Sequence, residues 1–315
     1  MRSIHIAAMA AAAIAIASAA PAATVSTSAT GFTLGNNGRT LVTIADLNMP
    51  GVATGAAITD GVGGALSISG LTYRPKTGQL YGYSNSTDTM YLIDPDTGVA
   101  TAQASLAGGT DVETLGVDFN NLVDAARVVT TSDQNIVYFP NNAPQNIAAF
   151  TDLAYAVGDA NEGADPSVFA NAYTNAVPNP TSTLQFGLDS QAGALVNIAN
   201  NAGTLTTVGD LFFMGEALSL SSDGGLDILS FADGDNTALA VLTTFGAVFS
   251  GQGLFLVPLV ADAMGRINVE LLGALPTSFG GLSGFAVQPV PIPASLGFLL
   301  GAMGLLAFFG KRRAV

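Results

Sequence analysis

The chain has 315 residues, of which 49% are hydrophobic and 10% charged, with 23 acidic residues against 9 Lys plus Arg, no Cys, no Trp and a single His. High hydrophobicity with low charge excludes a long disordered chain, and the acidic balance excludes a surface built to hold nucleic-acid phosphate. The absence of Cys means that the fold rests on its core alone.

The first 23 residues read as a secretory signal peptide. Arg2 supplies the positive start, Ile4 to Ile16 an apolar run, and Ala17-Ser18-Ala19 or Ala20-Pro21-Ala22 a small-residue cleavage point, the three cues of export. From Gly31 onward short apolar runs alternate with clusters of Gly, Asn, Asp, Ser, Thr and Pro. Gln79–Tyr83, Met90–Ile93, Arg127–Thr130 and Asn135–Phe139 are such runs, rich in β-branched and aromatic residues as strands are. Turn chemistry stands at Lys76-Thr77-Gly78, at Asp94-Pro95-Asp96-Thr97-Gly98 and at Asp223-Gly224-Gly225. One short helix is expected around Val168 to Tyr173. The last expected element is a transmembrane helix over 294–310. Ala294 to Gly310 carries no charge and is followed by Lys311-Arg312-Arg313. Its 17 residues would span roughly 25 Å as a helix, the short end of a bilayer crossing. The basic cluster places its last residues inside and the body outside. Val290-Pro291-Ile292-Pro293-Ala294 precedes it, and two alternate prolines impose an extended lead-in.

A Gly-led apolar segment followed by a polar turn recurs as Gly70–Tyr73, Gly116–Phe119, Asn171–Thr174, Glu216–Ser219 and Gly284–Val287, with an earlier copy at Gly31–Leu34. The steps from Phe32 to Tyr73, Phe119, Tyr173, Leu218 and Phe285 are 41, 46, 54, 45 and 67. Periods near 40 to 50 residues belong to β-propeller blades. The expectation is an all-β, propeller-like body over 24–289 of about six blades, with a β-sandwich or β-solenoid as the alternatives.

Two resemblances refine this reading. The order Leu71–Gly82, Leu92–Gly98, Gly116–Asn120, Asp124–Val129, Ala172–Asn175 and Gly203–Gly209 resembles the bacterial domain of unknown function 4394, a propeller-like family with no assigned activity, over roughly residues 28–288. The tail, residues 290–315, resembles the VPLPA-type relative of the PEP-CTERM sorting signals of Gram-negative bacteria. Its motif is Val290, Pro291, Ile292, Pro293 and Ala294, with Ile292 where the family has Leu, and its basic end is Lys311, Arg312 and Arg313. That resemblance implies an exosortase-like membrane enzyme as partner, and delivery to the cell surface or extracellular matrix, where exopolysaccharide or matrix components would be met.

Most catalytic chemistry is absent from the body. The only His is His5, inside the leader, and Lys76 is the only Lys of residues 24–290. A Ser-His-Asp triad needs an imidazole, a zinc site His or Cys, and a P-loop a Lys after its glycines. Carboxylates remain. Glu113, Glu162, Glu216 and Glu270 could be paired by folding into a glycosidase-like arrangement. Calcium is the more natural ligand for Asp-rich turns, and the candidate metal residues are Asp94, Asp96, Asp233 and Asp235, with Asp223, Asp227 and Asn236 in similar settings. Asp159, Asn161, Glu162 and Asp165 form a second acidic loop. None fits an EF-hand. No other cofactor is expected. The function expected is an exported structural or binding module, not an enzyme, with an extracellular hydrolase working through carboxylates and calcium as the alternative.

Overall fold

A computed structural model describes residues 24–25, 29–107, 109 and 114–290. The strands of this region form five sheets. The first orders β23 (Ser283–Pro289), β1 (Ala29–Gly35), β2 (Thr40–Ile44) and β3 (Thr54–Ala57). The second holds β4 (Gly70–Arg74), β5 (Gln79–Ser84), β6 (Thr89–Ile93) and β7 (Ala100–Ser105), and the third β8 (Leu115–Asn120), β9 (Ala125–Thr130), β10 (Asn135–Phe139) and β11 (Asn146–Ala149). The fourth runs through β13 (Val168–Tyr173), β14 (Gln185–Asp189), β15 (Ala194–Ala199), β16 (Thr204–Phe213) and β12 (Ala154–Tyr155), with β17 (Glu216–Ala217) and β21 (Arg266–Asn268) also paired to β16. The fifth is β18 (Leu220–Leu229), β19 (Thr237–Phe245), β20 (Ser250–Leu256) and β22 (Glu270–Ala274).

The innermost strands β23, β4, β8, β13 and β18 pack on one another in a closed cycle. The arrangement is therefore propeller-like with five sheets among the described residues, where about six blades were expected. The expected helix at Val168–Tyr173 is β13, all six residues buried. Its run of apolar residues fits a strand packed on both faces as well as one turn of helix, and the pairing with β14 decides. The described helical segments are two short 3₁₀ turns.

Packing explains the ring. Each sheet is apolar on both faces, so it must be covered on both sides. Five separate apolar clusters result, one in each gap between neighbouring sheets. Between the second and third sheets Tyr81, Phe119 and Tyr138 interlock, the Tyr81–Phe119 rings meeting edge to face at 5.3 Å. Between the fourth and fifth, Phe213, Phe249 and Phe255 do the same. The ring is closed by pairing across the chain: β23 lies antiparallel to β1, with Ala29 opposite Pro289.

Because β4, β8, β13, β18 and β23 run in the same sense around the axis, the molecule has two distinct faces. We call the side where these strands begin the mouth face and the side where they end the exit face. Among the described residues no helix is long and apolar enough to cross a membrane. The leader 1–23, the segment 294–310 and the motif residues Pro291, Ile292, Pro293, Ala294, Lys311, Arg312 and Arg313 lie outside the described residues. Val290, the first of the motif, leaves β23 exposed on the exit face.

Candidate functional site

A recess of about 450 Å³ opens at the mouth face. Its walls come from the loops leading into inner strands and from the hairpins beside them: Asn37, Ser67, Ser69, Asn85, Thr114, Asp223 and Ser283. The loops are locked together. The Ser69 hydroxyl donates to Asn85 Oδ1 at 2.7 Å and accepts the Asn85 N–H at 3.2 Å, and Ser67 donates to the Asn37 carbonyl at 2.7 Å. Apart from Ile68, Leu282 and two glycines, the described lining is hydroxyl and amide, with one carboxylate, the exposed Asp223, and no basic side chain among the described residues. Groups of this kind hold a ligand by neutral hydrogen bonds that can both donate and accept.

Below the recess the axis narrows to a collar. Gly70, Gly116, Asn171, Gly225 and Gly284 occupy it, with Leu71, Val117 and Phe285 beside them, around a space of about 10 Å³. The glycines are there for clearance. A Cβ on Gly116 would stand 2.5 Å from the Ala170 Cα and the Asn171 nitrogen, and one on Gly225 would stand 2.3 Å from the Phe285 nitrogen. Asn171 is the one member with a side chain, 1% exposed, and neither its Nδ2 nor its Oδ1 finds a partner among the described residues. A space of this size takes about one water, which such an amide would hold.

One step further along, Asp118 and Asp227 border a second space of about 10 Å³. Both are buried. Asp118 accepts the Thr72 hydroxyl at 2.9 Å and the Tyr173 N–H at 2.6 Å; Asp227 accepts the N–H groups of Val287 at 2.6 Å and Ile228 at 2.7 Å. Each carboxyl thus reaches from one inner strand to the backbone N–H of the next, a donor that the bare strand edge leaves unpaired. Burial, and for Asp118 also the charge of Asp227, raises both above the usual carboxylate range, and these hydrogen bonds oppose the rise.

Of the four metal candidates, Asp94 and Asp233 make hydrogen bonds within and between turns. Asp94 Oδ1 accepts the N–H groups of Asp96 and Thr97, both at 3.0 Å, which closes its turn. Asp96 is exposed beside it. Asp233 Oδ2 takes the Thr181 N–H and hydroxyl at 3.0 and 2.6 Å, tying two exit-face loops. Asp235 is exposed. The hydrogen bonds hold Asp94 and Asp233 below the ordinary carboxylate range. Asp223 and Asp227, expected in a turn, lie inside β18. Asp223-Gly224-Gly225 is a strand bulge, where Gly224 lies against the Val241 carbonyl of β19 and Gly225 against β23. In the second acidic loop Asp159 binds the Thr207 N–H and hydroxyl at 2.7 Å. Among the described residues no group of three or more carboxylates converges as metal ligands do. Glu162, Glu216 and Glu270 are exposed on separate segments, and Glu113 lies outside the described residues.

Two buried cations stiffen the exit side. Arg74 forms a two-point pair with Asp124, at 2.7 and 2.5 Å, and Lys76 stands 3.3 Å from the same carboxylate. Burial alone would raise Asp124, but Arg74 and Asn141 hold it below its ordinary value. Arg127 donates to the Tyr173 hydroxyl, to Asn135 and to Asn201, and lies over the Phe150 ring.

A family profile described as a domain of unknown function, DUF4394, matches residues 40–273. No curated protein matches the sequence. Among solved structures the chain is similar to a protein of unknown function from Bacteroides caccae, at 10% identity over 82% of this chain and 98% of that one, with a TM-score of 0.38. It is similar to a gluconolactonase from Xanthomonas campestris at 13% identity over 80% and 78% of the two chains, TM-score 0.42, and to a streptogramin B lyase at 13% identity over 81% and 71%, TM-score 0.36.

Proposed function

As the chain belongs to the DUF4394 family, whose description assigns no activity, we propose from its own geometry that it is an exported binding module whose ligand sits in the mouth-face recess. The observation that carries this reading is the chemistry of that recess: six neutral hydroxyl and amide side chains and a single carboxylate. Such a lining suits a neutral, hydroxyl-rich ligand such as a saccharide of the exopolysaccharide or matrix outside the cell. The leader 1–23 takes the chain out of the cytoplasm. The tail 290–315, read by an exosortase-like enzyme, keeps or delivers the body at the cell surface.

A hydrolase is the second reading. Acid–base cleavage of a glycoside needs two carboxyl groups facing one bond, about 5 to 10 Å apart. The described lining of the recess offers only Asp223, so binding is the better supported role. Titration of the purified chain with neutral oligosaccharides tests this directly. Binding should weaken at least about tenfold in Asn85→Ala, which removes an amide from the wall. Unchanged affinity in that variant, or turnover that disappears in Asp223→Asn, would refute it.

A further inference from the structure

Asn171 serves neither the packing of the ring nor the wall of the recess. Its side chain is 1% exposed, and both Nδ2 and Oδ1 lack a partner among the described residues. No other described residue leaves both ends of a buried amide unpaired. Such groups cost stability, and folded proteins pair nearly all of them. The next layer of the axis shows that this fold can do so. There Asp118 reaches the Tyr173 N–H and Asp227 the Val287 N–H, both at 2.6 Å.

Packing does not call for an amide at this position. The other four inner strands put glycine at the collar level, and the flanking residues Ala170 and Ala172 are small, apolar and fully buried. An apolar side chain of the same shape would remove both unpaired ends without breaking any hydrogen bond within the protein. What distinguishes Asn171 is where it stands. It borders the space of about 10 Å³ on the axis, and the recess of about 450 Å³ lies directly over that space. The wall residue Ser69 is followed in the chain by the collar residue Gly70, Ser283 by Gly284 and, one residue removed, Asp223 by Gly225. The collar admits a water but no carbon-bearing part of a ligand, and a water held there needs at least two polar partners. Asn171 supplies one from below. The open side of the space faces the recess, where a ligand hydroxyl supplies another.

We propose that the collar is the inner subsite of the recess: it holds one water on the Asn171 amide, and a hydroxyl group of the recess ligand rests on that water from above. This rests on the reading of the recess as a site for a neutral, hydroxyl-rich ligand. The amide can donate or accept, and so can the water, so the contact suits a hydroxyl in either orientation. A ligand that presents an apolar edge at the same place leaves the water a partner short, and binds less well for it. Asn171 is thus a positioning residue that acts through the water.

The test uses the full chain, with cellotriose, maltotriose and mannotriose as probes in calorimetric titration. Asn171→Leu keeps the shape and removes both polar ends, Asn171→Ala removes the amide without filling its place, and Asn171→Ser keeps a donor and an acceptor. Since no hydrogen bond within the protein is lost, the Leu and Ala variants should melt no more than about 2 °C below the parent. Asn171→Leu should bind the trisaccharide preferred by the parent at least about fivefold more weakly, while Asn171→Ser stays within about twofold. Unchanged affinity in Asn171→Leu would overturn the subsite and leave the reading of the recess standing. Melting lowered by more than about 6 °C in both the Leu and Ala variants would show that the amide has a partner inside the fold, and would equally overturn the subsite. A parent chain that binds none of the three sugars would overturn the reading of the recess, and the subsite with it.

Discussion

The collar is the sharpest test of the ring, and Gly116→Ala is its cleanest perturbation. The added methyl would sit 2.5 Å from the Ala170 Cα, 2.5 Å from the Asn171 nitrogen and 2.7 Å from the Ala170 carbonyl carbon. All three are main-chain atoms of β13, so no side chain can rotate away. Ordinary contact begins about 1 Å further out, and the third and fourth sheets would have to separate by that much along their shared edge. The Asp118–Tyr173 hydrogen bond, 2.6 Å long, spans the same gap and would be stretched. Overpacking alone costs about 1–3 kcal/mol, and a weakened buried hydrogen bond to a carboxyl adds about 1.5–3, so a total of about 3–5 kcal/mol is expected. At about 2–4 °C per kcal/mol, the melting temperature should fall by roughly 6–20 °C. Gly281→Ala is the control, since a Cβ there meets nothing within 4 Å, and it should melt within about 1 °C of the parent. A Gly116→Ala chain melting alongside that control would show that the sheets do not approach each other as described.

Arg74→Ala should destabilise by about 3 kcal/mol in urea unfolding, because Asp124 is left buried with the half-exposed Lys76 as its one cation and the Asn141 amide as a neutral donor; a loss below about 0.5 kcal/mol would mean that the pair is solvated. Asp118 and Asp227 sit above the usual carboxylate range through burial, and burial with neighbouring acids lifts Asp133 to about 6. The fold therefore binds these protons more tightly than the unfolded chain. Their stabilisation is complete below the ordinary carboxylate range and fades as pH rises through the raised values. Unfolding free energy should be larger at pH 5 than at pH 7.5, and Asp227→Asn should flatten that slope; a rise in stability over the same interval would contradict it. Calcium against EDTA should move the melting temperature by no more than about 1 °C, given that Asp94 and Asp233 already spend their oxygens on backbone and hydroxyl donors; a large shift would return a cation to these loops.

Much of the ring was legible because its strands are short, β-branched and separated by Gly- and Asp-rich turns. The recurring segments Gly70–Tyr73, Gly116–Phe119 and Gly284–Val287 fall within innermost strands, and Asn171–Thr174 spans the end of another. The fifth copy was misplaced. Glu216–Ser219 begins in the two-residue strand β17, whereas the inner strand carries Gly225-Leu226-Asp227-Ile228. The reason is that glycine has two uses. Asp-Gly-Gly signals a turn locally, but here the missing side chain of Gly225 makes room for Gly284 and Phe285 in a remote strand, and no local pattern reports that. Gly31–Leu34 has the same character yet lies in the second strand of its sheet, because the inner position is filled by β23 from the far end of the chain. The recess was out of reach for a related reason: Asn37, Ser69, Thr114 and Ser283 are ordinary loop residues until five remote loops converge.

The pairing of β1 with β23 has a temporal side. Thr33 donates its hydroxyl to Gly284, 251 residues later, and the first sheet has no innermost strand until that late stretch of chain arrives. A polypeptide emerging from its amino end can assemble the middle sheets in turn, but its opening strand waits, one edge bare, for nearly the whole of synthesis. Closure is then a single late event, in which Ala29 and Pro289 come to rest opposite each other. Loss of β23 would bare the edge of β1 and strip β4 and β18 of the strand packed between them, so this late strand acts as a clasp whose absence is felt at β1, more than 240 positions earlier in the chain.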